Sequence, residues 1–299
     1  MIFFIFSLIL TFLLTLLVSG NNLSAAVGTL VGSRIVGRYA GVLIGASGFF
    51  LGLVIEGRFL HGAALSLIPH SYFYIAYAFL VSFIVFLFAN LGRAPLSLTM
   101  ALAGTALGID MRIGYKIDNS FVLLMIVFWI VAPVISIAAS YITERTVFHR
   151  DFKNVWNVAK SLKVLILISS FLTAFTLGAN TLGFIANVEG FSLLTILIMA
   201  VAIFLGSFFL SSGVIKRVGE EMYSMRYSNA LVSLVVSSLL VEIATLFAVP
   251  LSNTQTLTSS VFGVGISYKY RAIYMKPFFI IIITWIISPG VGFILGYLV

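Results

Sequence analysis

The chain has 299 residues, of which 61% are hydrophobic and 9% charged, with a formal net charge of +8 and no cysteine. A mean hydropathy of +1.19 is more apolar surface than a water-soluble core can bury, so lipid must solvate most of the chain. Disulfides, thiolate metal sites and thiol nucleophiles are excluded, and the three histidines lack metal-ligand spacing. The 17 Lys and Arg are scattered through short loops rather than gathered on one soluble face, which argues against nucleic acid and for topology setting and anionic lipid head groups.

Apolar runs of spanning length fall at about 2–19, 37–55, 71–91, 120–142, 161–178, 191–211, 229–249 and 277–298. The first has no basic start, and Ser19-Gly20-Asn21-Asn22 is a poor cleavage site, so it reads as a retained membrane helix rather than a signal peptide. Two shorter runs, about 97–109 and 252–267, each follow a proline. They are too short to span alone and are expected as half-helices or re-entrant segments, which are tolerated only inside protein or beside a wet cavity. In the polar interval between the fourth and fifth runs, Phe152, Val155, Trp156 and Ala159 share helical spacing, which predicts an amphipathic interfacial linker.

The chain repeats itself. Pro95-Leu96-Ser97-Leu98-Thr99 returns as Pro250-Leu251-Ser252-Asn253-Thr254, an offset of 250 − 95 = 155. Gly108 and Gly263 keep that offset, Trp129 and Pro133 answer Trp285 and Pro289 at 156, and Ser19–Asn22 answers Gly178–Thr181 at 159. Two diverged units are therefore expected, residues 1–143 and 164–299, joined by the linker 144–163. Each holds about five membrane elements, and an odd number sets the units in opposite orientations. The expected fold is an all-α polytopic membrane protein made of two inverted repeats with broken or re-entrant half-helices at the midplane. Paired broken helices in duplicated membrane units point to a transporter whose site lies between the repeats. Positive charge is spread over several loops, so it assigns no side to the termini.

Chemistry concentrates at the breaks. Pro95 and Pro250 cannot continue a helix, and the hydroxyls after them suit the start of the next one, where free backbone N–H groups and the helix dipole attract anions. Two such termini facing one cavity make a donor-rich cradle for an oxyanion, from Ser97 and Thr99 with Ser252, Asn253, Thr254 and Gln255. The alternative is plain helix capping. Asn21, Asn22, Asn180 and Thr181, beside glycines at run ends, suit substrate or Na⁺ contacts, or else polar loops leaving the bilayer. Glu242 is the one acid inside a long apolar run and a candidate proton carrier; Arg93, just before Pro95, is a candidate fixed charge at the anion site. An enzyme would need a nucleophile and base or a metal set at membrane depth, which these residues do not supply. Gly and Ala on the runs allow close helix packing, within one chain or in a homodimer.

The duplicated pattern resembles the PiT family of inorganic phosphate transporters, a group that includes sulfate permeases. That family's signature reads approximately GANDxANxxGxxVGS, followed later by PVSTTH. Here Ser19-Gly-Asn-Asn-Leu-Ser-Ala-Ala-Val-Gly28-Thr-Leu-Val-Gly32-Ser33 and Gly178-Ala-Asn-Thr-Leu-Gly-Phe-Ile-Ala-Asn187 stand for the first motif. Pro95–Met100 and Pro250–Gln255 stand for the second. The likeness covers nearly the whole chain in order. It implies a multi-pass cell-membrane permease for phosphate, working by alternating access with H⁺ or Na⁺ as coupling cation and no other cofactor; the alternatives are a permease for sulfate or another oxyanion, H⁺-coupled or uncoupled, and a channel-like or non-transporting membrane protein. It also implies an anion site of Asn21, Ser97, Thr99, Asn180, Ser252 and Thr254. The family's acidic residue after each signature asparagine is replaced by Asn22 and Thr181, and its glutamate in the next helix falls near Gly48, so the resemblance carries the anion site further than sodium coupling.

Overall fold

In the computed structural model, residues 1–32, 35–91, 97–115, 117–148, 155–211, 227–269 and 275–299 are described, and among them every regular element is helical. The first matched segment contains α1 (Ile2–Gly32), α2 (Arg38–Glu56), a 3₁₀ turn (Gly57–Leu60) and α3 (His61–Leu67). It continues with α4 (Tyr72–Leu91), α5 (Leu98–Ile113) and α6 (Asn119–Thr143), which a π turn at Glu144–Phe148 prolongs. The second contains α7 (Val155–Leu177), a π turn (Gly178–Leu182), α8 (Gly183–Glu189) and α9 (Leu193–Phe209). α10 (Tyr227–Leu246), α11 (Asn253–Lys269) and α12 (Met275–Tyr297) complete it.

Five helical stretches are long and apolar enough to cross a membrane, and three shorter apolar helices, Tyr72–Phe88, Leu193–Phe209 and Ile282–Tyr297, accompany them. Together these account for the eight apolar runs of the sequence. The lipid-facing role is plainest on α6, where Leu123, Ile130 and Val134 are each at least 60% exposed. An apolar band of that kind is stable only against hydrocarbon, and the chain is a multi-pass membrane protein. α5 and α11 are the two expected short helices. Leu98 through Ala106 of α5 are all buried, as a helix too short to span must be.

Packing between the matched segments is reciprocal. α5 lies along α12, where a Cβ on Gly104 or Gly108 would strike the backbone of Pro289 or Phe293. α11 lies along α6, where a Cβ on Gly263 would strike Ile137. These are corresponding contacts, since 263 − 108 = 155 and 293 − 137 = 156. The same exchange joins α1 to α9 through Leu16 and Gly206, and α7 to α2 through Phe175 and Gly52, with offsets 175 − 16 = 159 and 206 − 52 = 154. Hydrophobicity cannot drive helices together in lipid, so close backbone approach over small residues supplies the attraction. Each short helix packs on a long helix of the other segment as well as on the helix before it in the chain.

Two details differ from the sequence reading. α1 does not end near residue 19 but runs unbroken through Asn21 and Asn22. Ser19, Asn21 and Asn22 are buried against protein, so a helix carrying them need not leave the bilayer. In the second segment the matching stretch does depart from α geometry, as the π turn Gly178–Leu182. The expected interfacial linker is, in its described part, the π turn closing α6 and the opening turns of α7; residues 149–154 lie outside the described residues.

Candidate functional site

The two breaks have the same local chemistry. Ser97 has an extended backbone and caps α5: its Oγ accepts from Met100 N at 3.3 Å and meets Thr99 Oγ1 at 3.0 Å. Ser252 does likewise before α11, accepting from Gln255 N at 3.4 Å and meeting Thr254 Oγ1 at 2.8 Å. All four hydroxyl residues are buried. An N-cap of this kind satisfies one orphan N–H and leaves the others of the first turn open to a ligand. Leu98 and Met100 stand in the first break where Asn253 and Gln255 stand in the second, so the second break carries more polar groups. Arg93 and Pro95 lie outside the described residues, as do Arg34, Lys216 and Arg217.

Asn180, in the π turn after α7, braces the second break. Its Nδ2 donates to Thr245 Oγ1 at 3.0 Å and to Val249 O at 2.9 Å, and its Oδ1 accepts from Leu251 N at 2.8 Å. The fully buried side chain thus clamps the backbone on both sides of Pro250. A π turn is a common device at functional sites because the extra residue re-aims a side chain. Thr181 follows it, also buried.

Trp129 of α6 connects the two breaks. Its indole donates to Pro250 O at 2.9 Å, and its ring packs on the buried pair of Met100, in the first turn of α5, and Trp285 of α12. Ser288, one turn beyond Trp285, donates to Ser97 O at 3.0 Å. Each break is therefore pinned by a side chain from one of the long helices α6 and α12.

Several buried polar atoms near the breaks have no hydrogen-bond partner within the described protein: Asn22 Oδ1 on α1, and Asn253 Nδ2 and Gln255 Oε1 in the first turn of α11. Ser237 of α10 donates to Asn253 Oδ1 at 2.9 Å and shares a hydrogen bond with Thr256, which fixes the amide but leaves its N–H groups available. α1 reaches α11, since Ala26 and Leu30 share a buried cluster with Leu257. Native proteins rarely leave such groups unpaired, and a cluster of them calls for a ligand or water.

Glu242 lies on α10, half-buried, near Glu56 at the end of α2, and the Oε2 atoms of both are buried without a hydrogen-bond partner among the described residues. Sequence reasoning missed Glu56; the signal was an acid closing an apolar run whose neighbour only the fold reveals. It also missed two buried acids, Asp110 on α5 and Glu189, whose carboxyl accepts from Ser7 at 2.8 Å. Glu189 helps to line a separate cleft of about 600 Å³ together with Arg58, His61 and His70.

The model of the phosphate transporter family matches residues 18–296. A protein of Methanocaldococcus jannaschii with the provisional name phosphate permease is 24% identical over 98% of this chain and 95% of its own length. The sulfate permease CysP of Bacillus subtilis is 24% identical over 94% of this chain and 82% of its own. A solved structure described as the sodium-dependent phosphate transporter superposes with a TM-score of 0.88, covering 100% of this chain and 98% of that one at 19% identity, which establishes a shared fold.

Proposed function

The chain belongs to the phosphate transporter family, and we propose that it is a secondary permease for inorganic phosphate that holds the anion between the N-termini of α5 and α11. The observation that carries this reading is the matched pair of capped breaks, Ser97 with Thr99 and Ser252 with Thr254, pinned to one another through Trp129. Open N–H groups, hydroxyls and two positive helix ends suit a tetrahedral oxyanion without requiring a fixed cation. Asn253 and Gln255 add polar contacts from the second break, Asn22 from α1; Asn180 acts by bracing, with Thr181 beside it. Asn21 and Arg93 complete the proposed set.

Transport is by alternating access between two inverted units, residues 1–143 and 164–299. The parallel register of the exchanged pairs supports the inversion: Gly104 and Gly108 of α5 follow Pro289 and Phe293 of α12 in the same direction. Consecutive helices joined by short turns run antiparallel, so a helix parallel to its neighbour's counterpart comes from an inverted unit. A coupling cation, H⁺ or Na⁺, moves with the anion, and the protein is a carrier of the cell membrane rather than an enzyme. The exposed aliphatic band meets lipid and, in a homodimer, a second copy of the chain.

Sulfate is the second reading, favoured by the 24% identity to a sulfate permease and by the absence of a carboxylate beside either signature asparagine. Phosphate can donate a hydrogen bond to such a carboxylate and sulfate cannot. The test is uptake of labelled phosphate and sulfate into proteoliposomes by the parent and by Ser97→Ala with Ser252→Ala. Saturable uptake of one anion, lost in the double variant, is expected. Equal uptake by parent and variant would remove the paired breaks from the mechanism, and no uptake of either anion by folded protein would remove the permease.

A further inference from the structure

We propose that the cleft beside α8 binds a phosphate group, of inorganic phosphate or of an anionic phospholipid, on Arg58, His61 and His70, as a site separate from the paired helix breaks. The cleft encloses about 600 Å³, a volume usual for sites that take small organic molecules. Both matched segments build it. Arg58 lies in the 3₁₀ turn after α2, His61 opens α3, and His70 precedes α4. The opposite wall is Asn187 to Phe191, at the end of α8 and in the connection to α9. Arg58, His61 and His70 are all exposed, so a ligand reaches them from outside the protein. A guanidinium presents a planar fork of N–H donors that matches a phosphate, and an imidazole donates at least one N–H in either charge state. Three such donor groups line one cavity here.

The scaffold holds the arginine in place. Gly57 and Gly183 cross with their backbones in contact, and a Cβ on Gly183 would lie 2.7 Å from Gly57 Cα. Asn187 Nδ2 donates to Gly57 O and to Gly183 O, both at 2.7 Å, and ties that crossing one residue before Arg58. Gly190 then turns the chain at φ +98°, a conformation that favours glycine. The next residue is Phe191, whose ring lies under the Arg58 guanidinium at 5.2 Å. Stacking of this kind steadies the side chain and leaves its N–H edge open to a ligand. Glu189, the acid of this wall, is held from another side: its carboxyl accepts from Ser7 at 2.8 Å and from Thr11 at 3.5 Å on α1. The two opposite charges of the cleft are thus held by different elements.

The position suits either source of the phosphate group. Asn187 follows Asn180, which clamps the second break, by 187 − 180 = 7 residues. That is about 10 Å at 1.5 Å per helical residue, so inorganic phosphate held in the cleft stands close to the helix breaks. The lining is also partly apolar: Leu65, Ile75 and Phe191 stand beside the basic groups. Phe59 and Leu193, next to these stretches in the chain, expose large apolar side chains. A phospholipid fits that arrangement, with its headgroup phosphate on the donors and its acyl chains along the apolar surface.

The chain has no cysteine, so Leu65→Cys puts a single thiol in the lining of the cleft. The rate at which a neutral maleimide labels it, in detergent-purified full-length protein, reads occupancy. Inorganic phosphate is one probe, short-chain phosphatidylglycerol the second, and a neutral alkyl glycoside of equal chain length the control. Phosphate, phosphatidylglycerol or both are expected to slow labelling several-fold and saturably, and the glycoside to leave it unchanged. Slowing by phosphate alone assigns the site to the ion, and slowing by the lipid alone assigns it to the headgroup. Arg58→Gln is expected to abolish the slowing, and Ser97→Ala with Ser252→Ala to keep it. His61→Gln with His70→Gln, at two exposed positions, gives the same test where Arg58→Gln does not fold. No slowing by either probe in the folded Leu65→Cys protein overturns the inference, as does equal slowing by the glycoside. Slowing that survives both the Arg58 and the His61 and His70 variants overturns it too. Slowing kept in Arg58→Gln but lost in Ser97→Ala with Ser252→Ala places the anion at the helix breaks, which overturns the cleft and leaves the permease standing. Labelling requires no transport, so a failed permease reading leaves this test intact.

Discussion

Replacing Asn180 by alanine gives the sharpest test of the architecture, because one side chain holds both sides of a helix break. The substitution removes the donors to Thr245 Oγ1 and Val249 O and the acceptor for Leu251 N, at 3.0, 2.9 and 2.8 Å. Thr245 keeps its own bond to Val241 O at 2.8 Å, so it is not stranded. Val249 O and Leu251 N are left as unpaired backbone groups in a buried place, each costing about 1–3 kcal/mol, which gives roughly 2–6 kcal/mol in all. Thr245→Val, by contrast, withdraws a single acceptor and should cost about 1 kcal/mol. The readouts are thermal denaturation of detergent-purified protein and anion uptake after reconstitution. Asn180→Ala is expected to lower the midpoint by several degrees and to abolish uptake, with Thr245→Val intermediate in both. A parent-like midpoint and uptake in Asn180→Ala would refute the clamp, and so would a Thr245→Val variant as damaged as Asn180→Ala.

Other expectations follow from the same contacts. Gly263→Leu drives a side chain into the Ile137 backbone and should yield little monodisperse protein on size exclusion, whereas Gly290→Leu, with open space at its Cβ, should behave as the parent. Trp129→Phe keeps the ring against Met100 but loses the bond to Pro250 O, a change of about 1 kcal/mol in stability that should be accompanied by a larger loss of uptake, since this indole ties the two breaks together. Gln255→Glu puts a negative charge in the first turn of α11; uptake of either anion should fall steeply at neutral pH and recover as the medium is acidified.

Lipid made the fold class readable from the sequence. Eight apolar runs and two short ones after prolines read as helices, because a bilayer interior admits only helices and closed barrels and the long runs exceed the short, alternating strands of a barrel. The duplication was equally readable: Ser97 with Thr99 and Ser252 with Thr254, matched by position in the sequence, have the same capping geometry in the structure. Which helix holds which could not be read, because in a membrane every helix is apolar all round and periodicity no longer marks the packed face. Only the tertiary structure set Gly108 on Phe293 and Gly263 on Ile137, packing each short helix on the other segment. Burial also kept α1 helical through Asn21 and Asn22, where a polar stretch read alone suggests a break. Glu242 could be picked out as an acid among apolar residues, but a carboxyl's surroundings depend on contacts far apart in the chain, and it was folding that brought Glu56 near it.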